Sequence, residues 1–134
     1  VVQECIVGEM VVAIIGASNN SSKFGNIAVR SFASNGHTVF PVNPHCAELG
    51  LSIEGFKSYR NVLEIPRRID VASLYVPANV GEQILSDLAK KRIPEIWVNP
   101  GAESTRLINR AKLLHLQLVF QCSIVAIGDS PANY

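Results

Sequence analysis

The sequence predicts an α/β fold: a doubly wound, mostly parallel five-stranded sheet with helices on both faces. Three observations lead there. Short, nearly continuous apolar runs recur along the chain, as strands covered on both faces require. Segments of helical period separate them. The β-branched run Val11–Ile15 ends at Gly16 and passes through a small polar loop into a helix pattern opening at Phe24. Strand, tight turn and helix start, in that order, present backbone N–H groups to an anion. Right-handed crossovers give a predicted strand order of 3-2-1-4-5.

Each element has its own signal. After the first strand, apolar positions at Ile27, Ala28, Phe32 and Ala33 make one helix face, and Asn35-Gly36 stops it. His37 to Val42 reads as strand two, closed by Asn43-Pro44, and Pro41 within it argues for a place near the sheet edge. Residues 45–60 show no period and read as a loop with one short strand. Asn61 caps a single helical turn that Pro66 ends. Asp70 to Val76 is strand three, stopped at Pro77-Ala78. A helix follows from Asn79 to Arg92, with Lys90, Lys91 and Arg92 at the negative end of its dipole. Strand four is Glu95 to Val98, a fourth helix spans Glu103 to His115, and strand five is Leu116 to Phe120. The tail after Gln121 is short and mixed.

The bulk properties narrow the function. At 134 residues, 48% hydrophobic and 17% charged, the chain is one compact domain, and disorder is excluded. A net charge of +1 offers no attraction to nucleic acid or an anionic membrane. The apolar runs fall well short of the ~20 residues a membrane span needs. Residues 1–10 read as an N-terminal extension or edge segment and 11–134 as the domain. Val1 to Cys5 lacks the flank and apolar stretch of a signal peptide. Three cysteines, Cys5, Cys46 and Cys122, without C-x-x-C spacing argue against a disulfide framework or a zinc site and for a cytoplasmic setting.

In such sheets ligands bind outside the carboxyl ends of the strands, where the strand order reverses. Those ends are Gly16-Ala17-Ser18, Val42-Asn43-Pro44, Val76-Pro77-Ala78, Asn99-Pro100-Gly101 and Gln121-Cys122-Ser123. Small residues and prolines dominate, and acids and histidines are scarce. The rim suits an extended ligand held by backbone groups and does not look like acid–base machinery. A G-x-G-x-x-G dinucleotide fingerprint fails, because Ser18 and Ser21 stand where its later glycines belong and the next glycine is Gly25. The corner after strand two carries neutral Asn43 in place of the acid that would hold an NAD ribose. His37, His45 and His115 have no acidic partner in sequence and read as structural or solvent-facing; Trp97 and Tyr75 read as core. No catalytic residue and no metal ligand is assigned.

Gly16-Ala17-Ser18, Val42-Asn43-Pro44, Tyr75-Val76-Pro77 and Trp97 to Ser104 together resemble the small, single-domain, Rossmann-type CoA-binding proteins, relatives of the CoA-binding N-terminal domain of the succinyl-CoA synthetase alpha subunit. The resemblance covers about residues 11–123. It implies a ligand that is CoA or an acyl-CoA. The Gly16–Lys23 loop, with Asn19 and the helix start at Phe24 and Gly25, would contact the pyrophosphate. Asn43-Pro44 would flank the adenine and ribose, Val76-Pro77-Ala78 would form another wall, and Asn99-Pro100-Gly101 would approach the pantetheine arm. Many relatives carry Gln-Pro-Gly at that last turn. Cys122 matches a cysteine common in the family; facing the cleft, its thiol would be placed for a disulfide with CoA. Lys23 is the one cation of the first loop and a natural phosphate partner.

The expectation is a CoA-binding or regulatory module without catalysis of its own. The alternatives are a CoA-handling subunit that works with a partner chain, as a homodimer or with a second enzyme subunit, and a small NAD(P)-dependent oxidoreductase. A third reading keeps the fold without a ligand. A bulky residue at Gly16 is expected to abolish binding while leaving the domain folded.

Overall fold

The computed structural model describes residues 8–134. Strand β1 (Val11–Ile15) leads to α1 (Phe24–Ser34), β2 (Thr38–Val42) and a short α2 (Pro44–Glu48). A hairpin of β3 (Ser52–Ile53) and β4 (Phe56–Lys57) follows, then a 3-10 turn at Val62–Glu64. The second half is β5 (Val71–Leu74), α3 (Ala78–Lys90), β6 (Glu95–Val98), α4 (Thr105–Leu113), β7 (Leu118–Phe120) and α5 (Ser123–Ala126). Part of the predicted segment 1–10 falls on residues 1–7, outside the described residues. Met10 runs directly into β1, and its carbonyl accepts from Thr38 N at 3.0 Å.

The class is as predicted: five parallel strands with helices on both faces. The strand order is not. The sheet runs β2-β1-β5-β6-β7, which in a count of its five strands is 2-1-3-4-5. Pro41 supplies the reason. Its carbonyl points to the outer side of β2, where it accepts from Tyr59 N at 2.9 Å. On that side proline has no N–H to give a neighbouring strand. The outer side of β2 therefore takes only the bridge between Val42 and Tyr59, and the third sheet strand pairs with β1 instead. This moves the reversal of strand order to the gap between β1 and β5.

Alternation along β1 divides the core in two. Val11, Ala13 and Ile15 face α3, α4 and the 3-10 turn, through Leu85, Leu88, Leu107, Ala111, Val62 and Ile65. Val12 and Ile14 face α1 and α5, through Ile27, Ala28, Phe32 and Ile124. Each fully buried Ile, Leu or Phe here contributes roughly 1.5–3 kcal/mol of transfer free energy.

Several boundaries differ from expectation. The aperiodic stretch 45–60 holds a helix and two strands. Its hairpin turns at Glu54 and Gly55, with φ of 51° and 83°, the pair of left-handed residues that a type I′ turn requires. Asn61 caps as predicted, its side chain accepting from Leu63 N. Helix α4 starts later than predicted because Ser104 caps it, while Glu103 folds back to accept from Gly101 N at 2.8 Å. The mixed tail contains α5, and beyond it Asp129 accepts from Ser31, Asn35, Ser130, Asn133 and Tyr134, fastening the carboxyl-terminal end to α1.

Candidate functional site

The carboxyl ends of β1 and β5 open onto a cleft of about 730 Å³. Its first wall is the turn after β1. Gly16 has φ +89°, and a Cβ there would lie 2.6 Å from the Tyr75 carbonyl oxygen and 2.8 Å from Val76 Cγ1. Only glycine lets β1 end this close to the β5 corner. Gly25 solves a second approach, since a Cβ on it would meet the Gly16 carbonyl oxygen at 2.2 Å. The start of α1 is thereby seated on the end of β1.

The loop between these glycines is held by its own polar groups. Ser18 Oγ accepts from Asn20 N, Asn20 Oδ1 accepts from Ser22 N and Oγ, and Lys23 N donates to Asn20 O. Buried Asn26 donates to Ser18 O at 2.8 Å and to Glu54 at 3.0 Å, and Arg30 bonds both Asn26 and Ser21 O. Among the described residues, the N–H groups of Ala17, Ser18, Phe24 and Gly25 meet no protein acceptor. The first turn of α1 and this loop thus hold free donors, and the helix dipole also favours an anion at that end. Lys23 lines the cleft beside them and forms no ion pair among the described residues.

Of the residues predicted for the site, Gly16, Ala17, Ser18, Lys23, Phe24 and Gly25 line the cleft from the first loop. Val42, Asn43 and Pro44 line it from the β2 corner, and Val76 and Pro77 from the β5 corner. Asn99, Pro100 and Gly101 line it from the β6 corner. Three predicted residues do not. Asn19 turns away to Cys46, donating to its sulfur at 3.5 Å. Ala78 is the first residue of α3, one step past the lining Pro77. Cys122 caps α5 and packs against the core on the α1 side of the sheet, so its thiol is not part of the cleft wall.

Two asparagines prove to be builders of the site. Asn43 donates to Ala17 O at 2.8 Å and accepts from Cys46 N at 3.0 Å, tying the β2 corner to the first loop. Asn99, 3% exposed, donates to Ser73 Oγ at 2.9 Å and Leu74 O at 2.8 Å, and accepts from Ser123 N at 2.8 Å. Both donors of its amide are used inside the protein, so the side chain pins β5, β6 and α5 together while Asn99 lines the cleft. Ser73 and Ser123 join the same knot through a 2.7 Å hydroxyl pair. The Tyr75 hydroxyl is buried without a partner of its own, and burial pushes the phenol well above its ordinary pKa.

Sequence reasoning missed the far part of the cleft: Arg60, Asn61 and Val62 on one side and Val80, Ile84, Asp87 and Leu88 of α3 on the other. The i, i+4, i+7, i+8 spacing on α3 was the available signal, and it reads equally as a core face. Among the described residues, no three His, Cys, Asp or Glu side chains come together as a metal site. Among the described residues no helix is long and apolar enough to cross a membrane.

The cleft joins a helix start that favours an anion to a mainly apolar lining. Acetate–CoA ligase (ADP-forming) I of Archaeoglobus fulgidus is 36% identical over 103 residues, 77% of this chain and 14% of that protein. The alpha subunit of acetate–CoA ligase (ADP-forming) I of Pyrococcus furiosus is 34% identical over 84 residues, 61% of this chain and 18% of the subunit. The chain thus spans less than a fifth of the length of these curated relatives. Among solved structures, a conserved hypothetical protein of Pyrococcus furiosus superposes with a TM-score of 0.79 at 35% identity, covering 87% of this chain and 97% of that one. A dinucleotide-forming acetyl-coenzyme A synthetase of Ca. Korarchaeum cryptofilum, in complex with phosphate and ADP, gives 0.70 at 27% identity over 82% of this chain and 25% of its own. The CoA binding domain family matches residues 10–128, and the chain belongs to that family.

Proposed function

We propose that the domain binds CoA or an acyl-CoA in this cleft as a binding or regulatory module, with no catalytic group of its own. The observation that supports it most is the Gly16 turn, where the N–H groups of Ala17, Ser18, Phe24 and Gly25 meet no acceptor among the described residues and Lys23 lines the same cleft. The pyrophosphate would sit at that turn, on the donors of Ala17, Ser18, Phe24 and Gly25. Asn43-Pro44 and Val76-Pro77 would flank the nucleoside, and the Asn99-Pro100-Gly101 backbone would carry the pantetheine arm. Asp87 is the one carboxylate of the lining, and among the described residues it pairs with neither Lys23 nor Arg60. The β2 corner carries neutral Asn43, its amide spent on Ala17 and Cys46, where the ribose hydroxyls of NAD would call for a carboxylate.

Calorimetric titration with CoA, acetyl-CoA and NAD tests the reading. CoA or acetyl-CoA is expected to bind at sub-millimolar concentration and NAD is not. Absence of any CoA binding in that range overturns it. A second reading, a CoA-handling part of an enzyme that works with another chain, is favoured by the curated acetate–CoA ligases. It predicts that the protein co-purifies with a second polypeptide carrying the rest of the reaction, in a reducing cytoplasm.

A further inference from the structure

The cleft does not end at the β5 corner. It continues as a slot between α3 and the 3-10 turn, with Val80, Ile84 and Leu88 on one wall and Val62, next to Arg60 and Asn61, on the other. Val62 and Leu88 are 2% and 0% exposed, so the slot is bounded by core. At its far end Lys91 Nζ donates to Ile65 O at 2.5 Å, clasping the two walls together. One charged group of α3 enters this apolar lining. Asp87 lies seven residues beyond Val80, about 10 Å along the helix axis. Among the described residues its carboxylate has no hydrogen-bond donor and no cation within ion-pair distance; the ion pair of α3 is Glu82 with Arg106.

An ionised carboxylate only accepts hydrogen bonds, so whatever fills the slot has to present a donor at that depth. Val62, Val80, Ile84 and Leu88 ask for flat or apolar surface, and Arg60 and Asn61 stand beside Val62. We propose that the slot takes the adenine of the ligand and that Asp87 reads its exocyclic amino group. The inference rests on the CoA reading. With the pyrophosphate at the Gly16 turn and the thiol arm directed to the β6 corner, the nucleoside is the part left for the slot. Asp87 then acts as a specificity-determining residue. A base without the amine leaves a half-buried carboxylate unpaired, the situation in which polar sites discriminate most strongly.

The test compares ADP with purine riboside 5′-diphosphate, which lacks only the amino group, by calorimetry on the wild-type protein and on Asp87→Ala. Alanine is the best helix former and Asp87 makes no side-chain bond, so the variant should fold, as circular dichroism will verify. The wild type is expected to bind ADP about 10-fold more tightly than the deaminated analogue, a difference of about 1.4 kcal/mol. In Asp87→Ala that gap is expected to shrink to within about twofold, through weaker ADP binding. CoA is titrated in parallel. If CoA binds and the gap is absent in the wild type, or survives in Asp87→Ala, the assignment of Asp87 is overturned while the CoA reading stands. If CoA does not bind, both fall.

Discussion

The carbonyl oxygen of Gly16 occupies the space that a Cβ on Gly25 would need, 2.2 Å from its ideal position. The end of β1 and the start of α1 are in backbone contact, and the contact fixes the loop between them. Gly25→Ala forces backbone to move, so it is expected to destabilise the domain by roughly 1–3 kcal/mol, the usual range for overpacking. Urea denaturation at constant m-value will measure it. A loss below about 0.5 kcal/mol would show that α1 can slide away from β1 at no cost. The same geometry spoils Gly16 as a probe of binding alone. A side chain there meets the Tyr75 carbonyl oxygen and takes an unfavourable φ, so lost binding in a Gly16 variant would report damage to the fold.

Asn99 is the centre of the buried knot between β5, β6 and α5. Asn99→Asp keeps the shape but puts an acceptor where the amide donates to Ser73 Oγ and Leu74 O. The expected loss of stability is roughly 2–3 kcal/mol, since two buried partners are left facing an acceptor. Thermal unfolding will check it. A variant as stable as the wild type would mean that the knot relaxes around the change, and that Asn99 is free to serve the ligand after all.

His37 gives the stability a pH dependence of definite sign. Its Nδ1 accepts from Met10 N at 3.0 Å, which requires an unprotonated nitrogen, and its ring lies 5.7 Å from that of Phe32. Burial lowers its pKa below the ordinary 6.5, against a smaller opposing pull from Glu9. The unfolded chain therefore takes up this proton first as pH falls. The contribution is complete above about pH 6.5 and is lost progressively as pH drops toward the lowered folded value, below which it is constant. His37→Asn retains an acceptor but does not titrate. The difference in Tm between wild type and variant should thus shift against the wild type on going from pH 7.5 to 5.5. A difference that stays level across that window would remove His37 from the account.

How much of this was legible in sequence depended on the range of each interaction. Caps and turns are local, so Asn61 and the Gly16 turn could be read from neighbouring residues. The hairpin at 52–57 was missed because two-residue strands have no period to detect; only Gly55 following Glu54 hinted at its turn. Pro41 did carry the correct topology. A proline on a strand's outer side excludes a neighbour there, and the predicted order had nevertheless placed strand two inside the sheet. Asn99 could not be resolved at all. Its partners lie 24 to 26 residues away, and an asparagine at a strand end looks the same whether it faces a ligand or a core. The α3 face failed for a related reason, because helical periodicity records a buried stripe without saying whether core or cleft buries it.

Lys23 carries the last prediction. It stands at the N-cap of α1 without a side-chain cap bond, lines the cleft beside the free N–H groups, and pairs with no acid among the described residues. Lys23→Ala should therefore leave stability nearly unchanged, within about 0.5 kcal/mol, as surface substitutions usually do. If the pyrophosphate of CoA sits at this turn, the variant loses one charge-assisted contact and binds CoA about 10-fold more weakly. Salt separates this from a packing effect. Raising ionic strength should weaken wild-type binding more than that of Lys23→Ala, because a partly exposed ion pair is screened and a neutral contact is not. Titration with CoA at two salt concentrations will show it. Parallel salt dependences in the two proteins would place the phosphates away from Lys23, and the Gly16 turn would lose its assigned occupant.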